Sequence, residues 1–520
     1  MPPLSPSMPL DLPSARRSWM THVRGREALL VAIAAPILLA IGFVLFAPPP
    51  FTTDVAWQLW VAHRLREGAV FYRDIMETNP PLWFWMAMPV DAAASLTGIQ
   101  PEAMLVLALG AASTTSLGAT ERLTGTIPTP HRIALLLLAT WLMLAMPFGD
   151  TGQREQYALI AAIPYAALAA ARRQGGTVDT RLALAIGIGG GLGFALKHYF
   201  AGVPVLIEFW LLARQGRGWR SPLRPEVAGL MLVALLYAAA LLIVTPDYLI
   251  RVVPDLRLAY GAAASRPLWQ MIQLSQYLWG LALLVLLPSL LLLRRGSAPL
   301  TTALLIAATG FALAWWVQHK GWPYHAIAAT GCLILALAAL LAEAWQKLPV
   351  TARLVAPATI ILPLAQPLMP APPPPPTLGV DPVLTGLRRG DAVAFVSTEI
   401  AIAWPHVWND GFRYPSRYNA YWMLWAMTPS GLRDPAVAAL GRRIVAETVQ
   451  DYRCLPPRRI VFQRPVPGGD AAGDPLAFFR RDPAFADLLR HYRLAVRSGA
   501  FEGWDLRTPL RPATNCRRGT

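Results

Sequence analysis

The chain has 520 residues, 55% hydrophobic and 15% charged, with a formal charge of +16 and a mean hydropathy of +0.41. Apolar runs of membrane-crossing length recur from residue 28 to about 370, which excludes a soluble globular protein and predicts a polytopic α-helical membrane protein. The excess of basic residues does not point to nucleic acid. Of 46 Lys and Arg, 20 follow residue 370, and most others punctuate the apolar runs as topology signals.

In chain order, residues 1–27 form a basic segment, Pro- and Ser-rich before Arg16 and carrying Arg16, Arg17, Arg24 and Arg26. The first apolar run, 28–47, is too long for a cleaved signal peptide and lacks a small-residue cleavage site, so it reads as a retained helix. Further basic clusters follow at Arg122 with Arg132, Arg172 to Arg181, Arg214 to Arg224, Arg294 with Arg295, and Lys347 with Arg353. Placing all of them in the cytoplasm predicts about eleven transmembrane helices within 28–370. They lie near 28–47, 102–121, 133–147, 157–171, 182–197, 200–213, 227–245, 273–293, 300–317, 326–345 and 354–370, with the N-terminus inside and the C-terminus outside. The run Leu82 to Gly98 is short, carries Pro89 and Asp91, and has no basic flank. It reads as a juxtamembrane helix of the first outward loop, with a twelve-span arrangement as the alternative. The outward loops are then 48–101, 148–156, a turn near 197–200, 246–272 and 318–325. They hold nine Lys and Arg against 17 inside.

The stretch 371–376 is a Pro-rich linker. Residues 377–520 read as a small extracytoplasmic α/β domain, with strands at 391–397 and 459–462 and helices near 434–450 and 483–492. Cys332 lies in an apolar run. Cys454 and Cys516 lie in the tail, where a disulfide suits an extracytoplasmic compartment although spacing alone does not show one.

The polar residues not needed for folding gather in the outward loops. Outside the cytoplasm nucleotide sugars are absent, so group transfer there draws on a lipid-linked donor. Such a site needs a carboxylate for the acceptor, cations for the donor phosphate, and aromatic faces. Asp54 leads the carboxylates because a helix end fixes it at the membrane boundary. The plain alternative is an N-cap for the run Val55 to Arg66. Asp74, Glu77, Asp150 and Glu155 are the other outward acids. The cations come from Lys197-His198-Tyr199 and from the loop Gln318-His319-Lys320-Gly321-Trp322-Pro323-Tyr324-His325. Lysine is a point-charge phosphate ligand, whereas a lone interfacial Lys is more often a snorkelling anchor. The acids Asp54, Asp74 and Glu155 reach a common divalent cation only through the fold, and His319 and His325 belong to no close ligand set, so a metal stays undecided. Glu208, inside an apolar span, reads as a functional or a helix-pairing group. Gly187 to Gly193 suit close helix packing better than a phosphate cradle.

At these residues the chain resembles the GT-C class of polytopic glycosyltransferases, in its protein O-mannosyltransferase-like and lipid A aminoarabinose transferase-like branch. The shared pattern is Asp54 after the first span, Gly68 to Asp74 as Gly-x-x-x-Tyr-Arg-Asp, and Asn79-Pro80-Pro81-Leu82, with Asn79 where relatives often carry Lys or His. The likeness continues through Arg154-Glu155-Gln156, Lys197-His198-Tyr199 and Lys320 to His325, over roughly residues 28–345. It implies an inverting transfer from a polyprenyl-phosphate sugar to an extracytoplasmic glycan, lipid or protein. Asp54 would be the base, Glu155 or Asp150 would assist, and Lys197 and Lys320 would hold the phosphate. Asp74, Glu77, His198, Tyr199, Tyr324 and His325 complete the expected substrate-binding set, in a protein of the cytoplasmic (inner) membrane whose site and C-terminal domain face the periplasm or exterior. A transporter or flippase is the alternative, although no repeat is evident and the polar groups gather at one face. A non-catalytic scaffold displaying the tail is a third reading.

Overall fold

The computed structural model describes residues 14–49, 51, 53–215, 224–261, 266–275, 278–280, 282–283, 298–345, 379–404, 406–464, 473–510 and 516. The span expected at 354–370, the linker at 371–376 and most of the span at 273–293 lie outside these residues.

The chain is largely helical. Among the described residues five helices are long and apolar enough to cross a bilayer: Arg26–Phe46, Pro101–Leu123, Pro225–Ile243, Pro299–Gln318 and Pro323–Glu343. Shorter apolar helices run over Thr129–Leu144, Thr180–Ala195 and His198–Ala213. The elements used below are α1 (Ser14–Phe46), α2 (Thr53–Arg66), α3 (Leu82–Thr97), α4 (Pro101–Leu123), α5 (Thr129–Leu144), α6 (Arg154–Arg173), α7 (Thr180–Ala195), α8 (Gly202–Gln215), α9 (Pro225–Ile243), α10 (Val253–Ala259), α11 (Leu268–Leu274), α12 (Pro299–Gln318) and α13 (Ile327–Ala344). Proline near the first position of α4, α5, α9 and α12 sets φ for the helix and removes a donor that would have no partner there.

Helix α6 is the axis of the bundle. It packs against α4, α7, α12 and α13, and almost every side chain from Arg154 to Ala170 is buried. By contrast α9 leaves Leu235, Leu236, Leu242 and Ile243 exposed, the composition of a lipid-facing stripe. Helices α7 and α9 meet closely: a Cβ on Gly229 would stand 2.6 Å from the Leu184 carbonyl, and one on Gly191 would stand 2.8 Å from Val233. The glycine run of α7 therefore removes side chains so that two backbones can approach. Glu208 of α8 accepts from the Tyr165 hydroxyl at 2.9 Å and pairs with Arg224, a helix-pairing arrangement.

The segment Leu82–Thr97 is helical and lies along α2, with Arg66 and His63 of α2 pairing with Asp91 of α3. Between them the chain turns through Tyr72, a buried residue at φ 65° whose hydroxyl donates to the Asn79 carbonyl at 2.8 Å.

The C-terminal residues form a four-stranded mixed sheet in the order β1-β2-β4-β3, with β1 Val393–Val396, β2 Arg459–Gln463, β3 Tyr492–Ser498 and β4 Phe501–Leu506. Strands β1 and β2 are parallel, and β4 is antiparallel to both β2 and β3. A long helix, α14 (Pro435–Cys454), is N-capped by Asp434 and ends at Cys454, which is disulfide-bonded to Cys516. The hairpin β3–β4 is an addition to the expected elements, and the helix expected near 483–492 ends at Leu489, before β3 begins.

This C-terminal unit is fastened to the loops of the bundle. Arg251 pairs with Glu447, Arg443 with Asp255, and Trp408 with Glu102. The Met76 amide donates to the Arg417 carbonyl at 2.8 Å, and Arg417 itself is clamped by Asp451, also at 2.8 Å.

Candidate functional site

The loops expected to face outward converge on one cavity of about 830 Å³. Its walls are the first turn of α2, the turn Glu77 to Pro80 with Trp83, the segment Asp150 to Arg154, Lys197 to Tyr199, part of 248–260, the stretch Gln318 to His325, and residues 398–400 and 419–425 of the C-terminal unit.

Asp54 is the second residue of α2, inside the first turn rather than at the cap. Its carboxylate accepts from the Gln153 amide at 3.2 Å and lines the cavity. Asp150 shares the wall. Burial, and then the negative charge of Asp54 and Glu155, push its carboxyl up to about 6.

The cationic wall begins at the start of α6. Arg154 is only 3% exposed and lies over the Trp83 ring at 4.5 Å. Its Nε and one Nη are buried with no hydrogen-bond acceptor among the described residues. Next to it in sequence, Glu155 is fully buried and accepts from Lys197 Nζ at 2.6 Å. Its other oxygen has no donor, and His325 Nε2 stands 3.8 Å from Oε1. Successive helix residues are about 100° apart, so Arg154 lines the cavity while Glu155 lies behind the lining. Lys197 also donates to Gln318 Oε1 at 3.3 Å. Burial lowers its ammonium to about 8, and Glu155 limits that fall.

Lys320 is presented by a sharp turn. His319 caps α12 at φ 51° and Gly321 follows at φ 65°. A Cβ on Gly321 would meet Leu274 at 2.6 Å and Arg266 at 2.8 Å, so any larger residue there would be strained and would push both side chains aside. The Lys320 ammonium donates to the Tyr260 carbonyl at 3.2 Å and lies 4.2 Å from the centre of the Tyr260 ring. Burial lowers its pKa. Tyr324 lies face to face with Trp322 at 5.9 Å, and Lys197 stands 5.6 Å from its ring. His198 and Tyr199 pack against each other at the wall with their rings tilted by 41° and their centroids 3.8 Å apart.

Of the expected residues, the fold therefore brings Asp54, Glu77, Asp150, Lys197, His198, Tyr199, Lys320, Tyr324 and His325 to one lining. Glu155 lies just beneath it. Asp74 does not reach the lining; its carboxylate accepts from the Val70 amide at 2.7 Å and closes the turn after Gly68. Glu77 reaches the cavity but is occupied, accepting from Trp57 at 2.6 Å, from the Asn79 amide and side chain at 2.8 and 2.6 Å, and from Thr78 at 3.0 Å. Among the described residues no group of three or more His, Cys, Asp or Glu is arranged to hold a metal ion.

No family model matches the chain, and no curated protein does. Among solved structures the chain is similar to the crystal structure of ArnT from Cupriavidus metallidurans bound to undecaprenyl phosphate. The identity is 10%, the match covers 97% of this chain and 100% of that one, and the TM-score is 0.47. The likeness concerns gross architecture and bears on no individual residue.

Sequence reasoning did not single out Arg154 by itself, nor Arg257, Tyr248 and Tyr260 of the loop before α11, nor any residue of the C-terminal unit, all of which line the cavity. The signal for Arg154 was present, since an Arg at the first residue of a buried helix needs a partner. The signal for the C-terminal residues was absent, because their neighbours are hundreds of positions away.

Proposed function

We propose that this chain is an integral membrane glycosyltransferase that moves a sugar from a polyprenyl-phosphate donor to a hydroxyl group outside the cytoplasm, with inversion. The observation that carries the reading is Arg154, a buried guanidinium lining the cavity with two nitrogens that lack acceptors among the described residues. Leaving it so costs several kcal/mol, roughly, unless an anion completes it. With Lys197 and Lys320 on the same lining, the fitting ligand is a phosphate. The exposed leucines of α9 and the apolar helices around the cavity suit a donor whose prenyl chain stays in the bilayer.

In the reaction the acceptor oxygen attacks the anomeric carbon from the face opposite the phosphate. The bond from that carbon to the phosphate oxygen breaks, and the acceptor proton passes to Asp54. The leaving phosphate goes from one negative charge to two, so Arg154, Lys197 and Lys320 stabilise the transition state more than the ground state. Glu155 acts through Lys197 as a positioning residue, and Asp150 tunes the charge around Asp54. The Cys454–Cys516 disulfide supports an oxidising, extracytoplasmic location for the tail.

The test is transfer from a panel of synthetic short-prenyl phosphate sugars by the purified full chain and by Asp54→Asn, with product stereochemistry read by NMR. The expected outcome is an inverted product from wild type and almost none from the variant. If no panel member binds or reacts, and Asp54→Asn fully complements a deletion strain, the reading is wrong.

A further inference from the structure

The mechanism leaves part of the cavity wall unused. Thr398, Glu399, Asn419, Trp422 and Trp425, all of the C-terminal unit, line the same cavity as Asp54 and Arg154. Two backbone segments carry them, and these are laced together. The Tyr421 amide donates to the Ser397 carbonyl at 2.8 Å, the Glu399 amide to the Ser397 hydroxyl at 3.1 Å, and that hydroxyl to Gln463 of β2 at 2.9 Å. The shelf is therefore rigid before any ligand arrives.

Its chemistry is specific. Trp425 is 40% exposed, a large ring left in water at a cavity wall. Trp422 is fixed edge-on against Tyr260, at 5.6 Å and 83°. The Glu399 carboxylate is exposed and has no polar partner among the described residues. Indole faces are electron-rich and attract the polarised C–H groups of a sugar ring, while a carboxylate and an amide together bind neighbouring hydroxyls. A flat apolar platform with a few fixed polar groups beside it is the pattern of a small-ligand subsite.

We infer that Thr398, Glu399, Asn419, Trp422 and Trp425 form a pyranose-binding subsite for the acceptor, so that the C-terminal unit selects what is glycosylated. The inference builds on the transferase reading above. The phosphate end of the donor is assigned to the cations of the bundle, which leaves the acceptor to the wall that the C-terminal unit supplies.

The experiment uses the purified full chain in detergent with two probes, a panel of methyl pyranosides followed by saturation-transfer NMR and farnesyl phosphate followed by calorimetry. Wild type should bind at least one pyranoside. Glu399→Ala and Trp422→Ala should weaken that binding about tenfold or more, equivalent to loss of one or two hydrogen bonds or a stacking contact, and leave farnesyl phosphate affinity unchanged. Trp422→Phe, which keeps a flat ring, should recover most of the pyranoside signal and guards against misfolding. Binding of farnesyl phosphate with no pyranoside binding, or pyranoside binding indifferent to Glu399 and Trp422, overturns the subsite and leaves the donor reading intact. Subsite-dependent pyranoside binding with no farnesyl phosphate binding overturns the donor reading and keeps the subsite.

Discussion

Removing the carboxylate of Glu155 probes the centre of the bundle. Both partners of the Glu155–Lys197 pair are almost completely shielded from solvent and their atoms are 2.6 Å apart. Attraction and desolvation nearly cancel in such a pair, but removing one partner leaves a buried charge uncompensated, at a cost of about 3–5 kcal/mol. Glu155→Leu should lie at the upper end of that range, and Glu155→Gln, which still offers Lys197 an oxygen, at the lower end. Lys197→Met combined with Glu155→Leu should recover at least half of the loss, because no charge then remains. The pH dependence has a definite sign. The folded state holds Lys197 at about 8 against an ordinary 10.5, so it binds fewer protons than the unfolded chain between those values. Stability contributed by this group therefore rises as pH climbs through that window. Without Glu155 the folded pKa falls further, and the rise begins at lower pH. Unfolding by SDS titration in mixed micelles at pH 7 and pH 9 measures all of this. A cost below about 1 kcal/mol for Glu155→Leu, or a double variant as unstable as the two singles summed, refutes the reasoning.

Arg154→Met should lower farnesyl phosphate affinity by about tenfold to a hundredfold, with Arg154→Lys intermediate, in a direct binding assay. Asp54→Asn should lower the turnover of a short-prenyl donor by roughly 10²–10⁴ with donor affinity within about twofold of wild type, as read from kcat and KM separately. Asp150, held near 6, should shape the acid side of the pH–rate profile, and Asp150→Asn should remove the inflection near 6. The same shift makes the folded state bind more protons than the unfolded chain between about 4 and about 6, so the contribution of Asp150 to stability falls as pH rises through that interval. Gly321→Ala should cost about 1–3 kcal/mol by strain at positive φ and by overlap with Leu274 and Arg266, measured by thermal unfolding.

The helices were legible wherever a bilayer dictates their length. The stretch expected at 102–121 is Pro101–Leu123, and that at 300–317 is Pro299–Gln318, because an apolar run cannot end inside hydrocarbon without stranding its backbone polar groups. The tail was less legible. Strands β1 and β2 announce themselves by short apolar runs, whereas β3 alternates Tyr492, Leu494 and Val496 with Arg493, Ala495 and Arg497 and meets β4 across only Gly499 and Ala500. That pattern reads as a helix end as easily as a hairpin. At the site, sequence order picked out loops that line the cavity but not which way each side chain turns. The division between Arg154, facing the cavity, and Glu155, facing Lys197, depends on helix phase and packing. Asp74 and Glu77 looked equivalent to the cavity acids, yet one closes a turn and the other is consumed by Trp57, Thr78 and Asn79.

The ion pairs of Arg251 with Glu447 and of Asp255 with Arg443 bear on when the molecule becomes competent during its own synthesis. The loop they secure carries Arg257 and Tyr260 into the cavity, and both acceptor-side tryptophans belong to the same late stretch of sequence. A nascent chain that has completed α13 thus has its carboxylates and cations but an unroofed chamber, open to water. Only when residues up to the end of α14 have emerged and docked do these ion pairs hold the wall that Trp422 and Trp425 supply. Under the function proposed above, the cavity is therefore complete only after the C-terminal unit has folded.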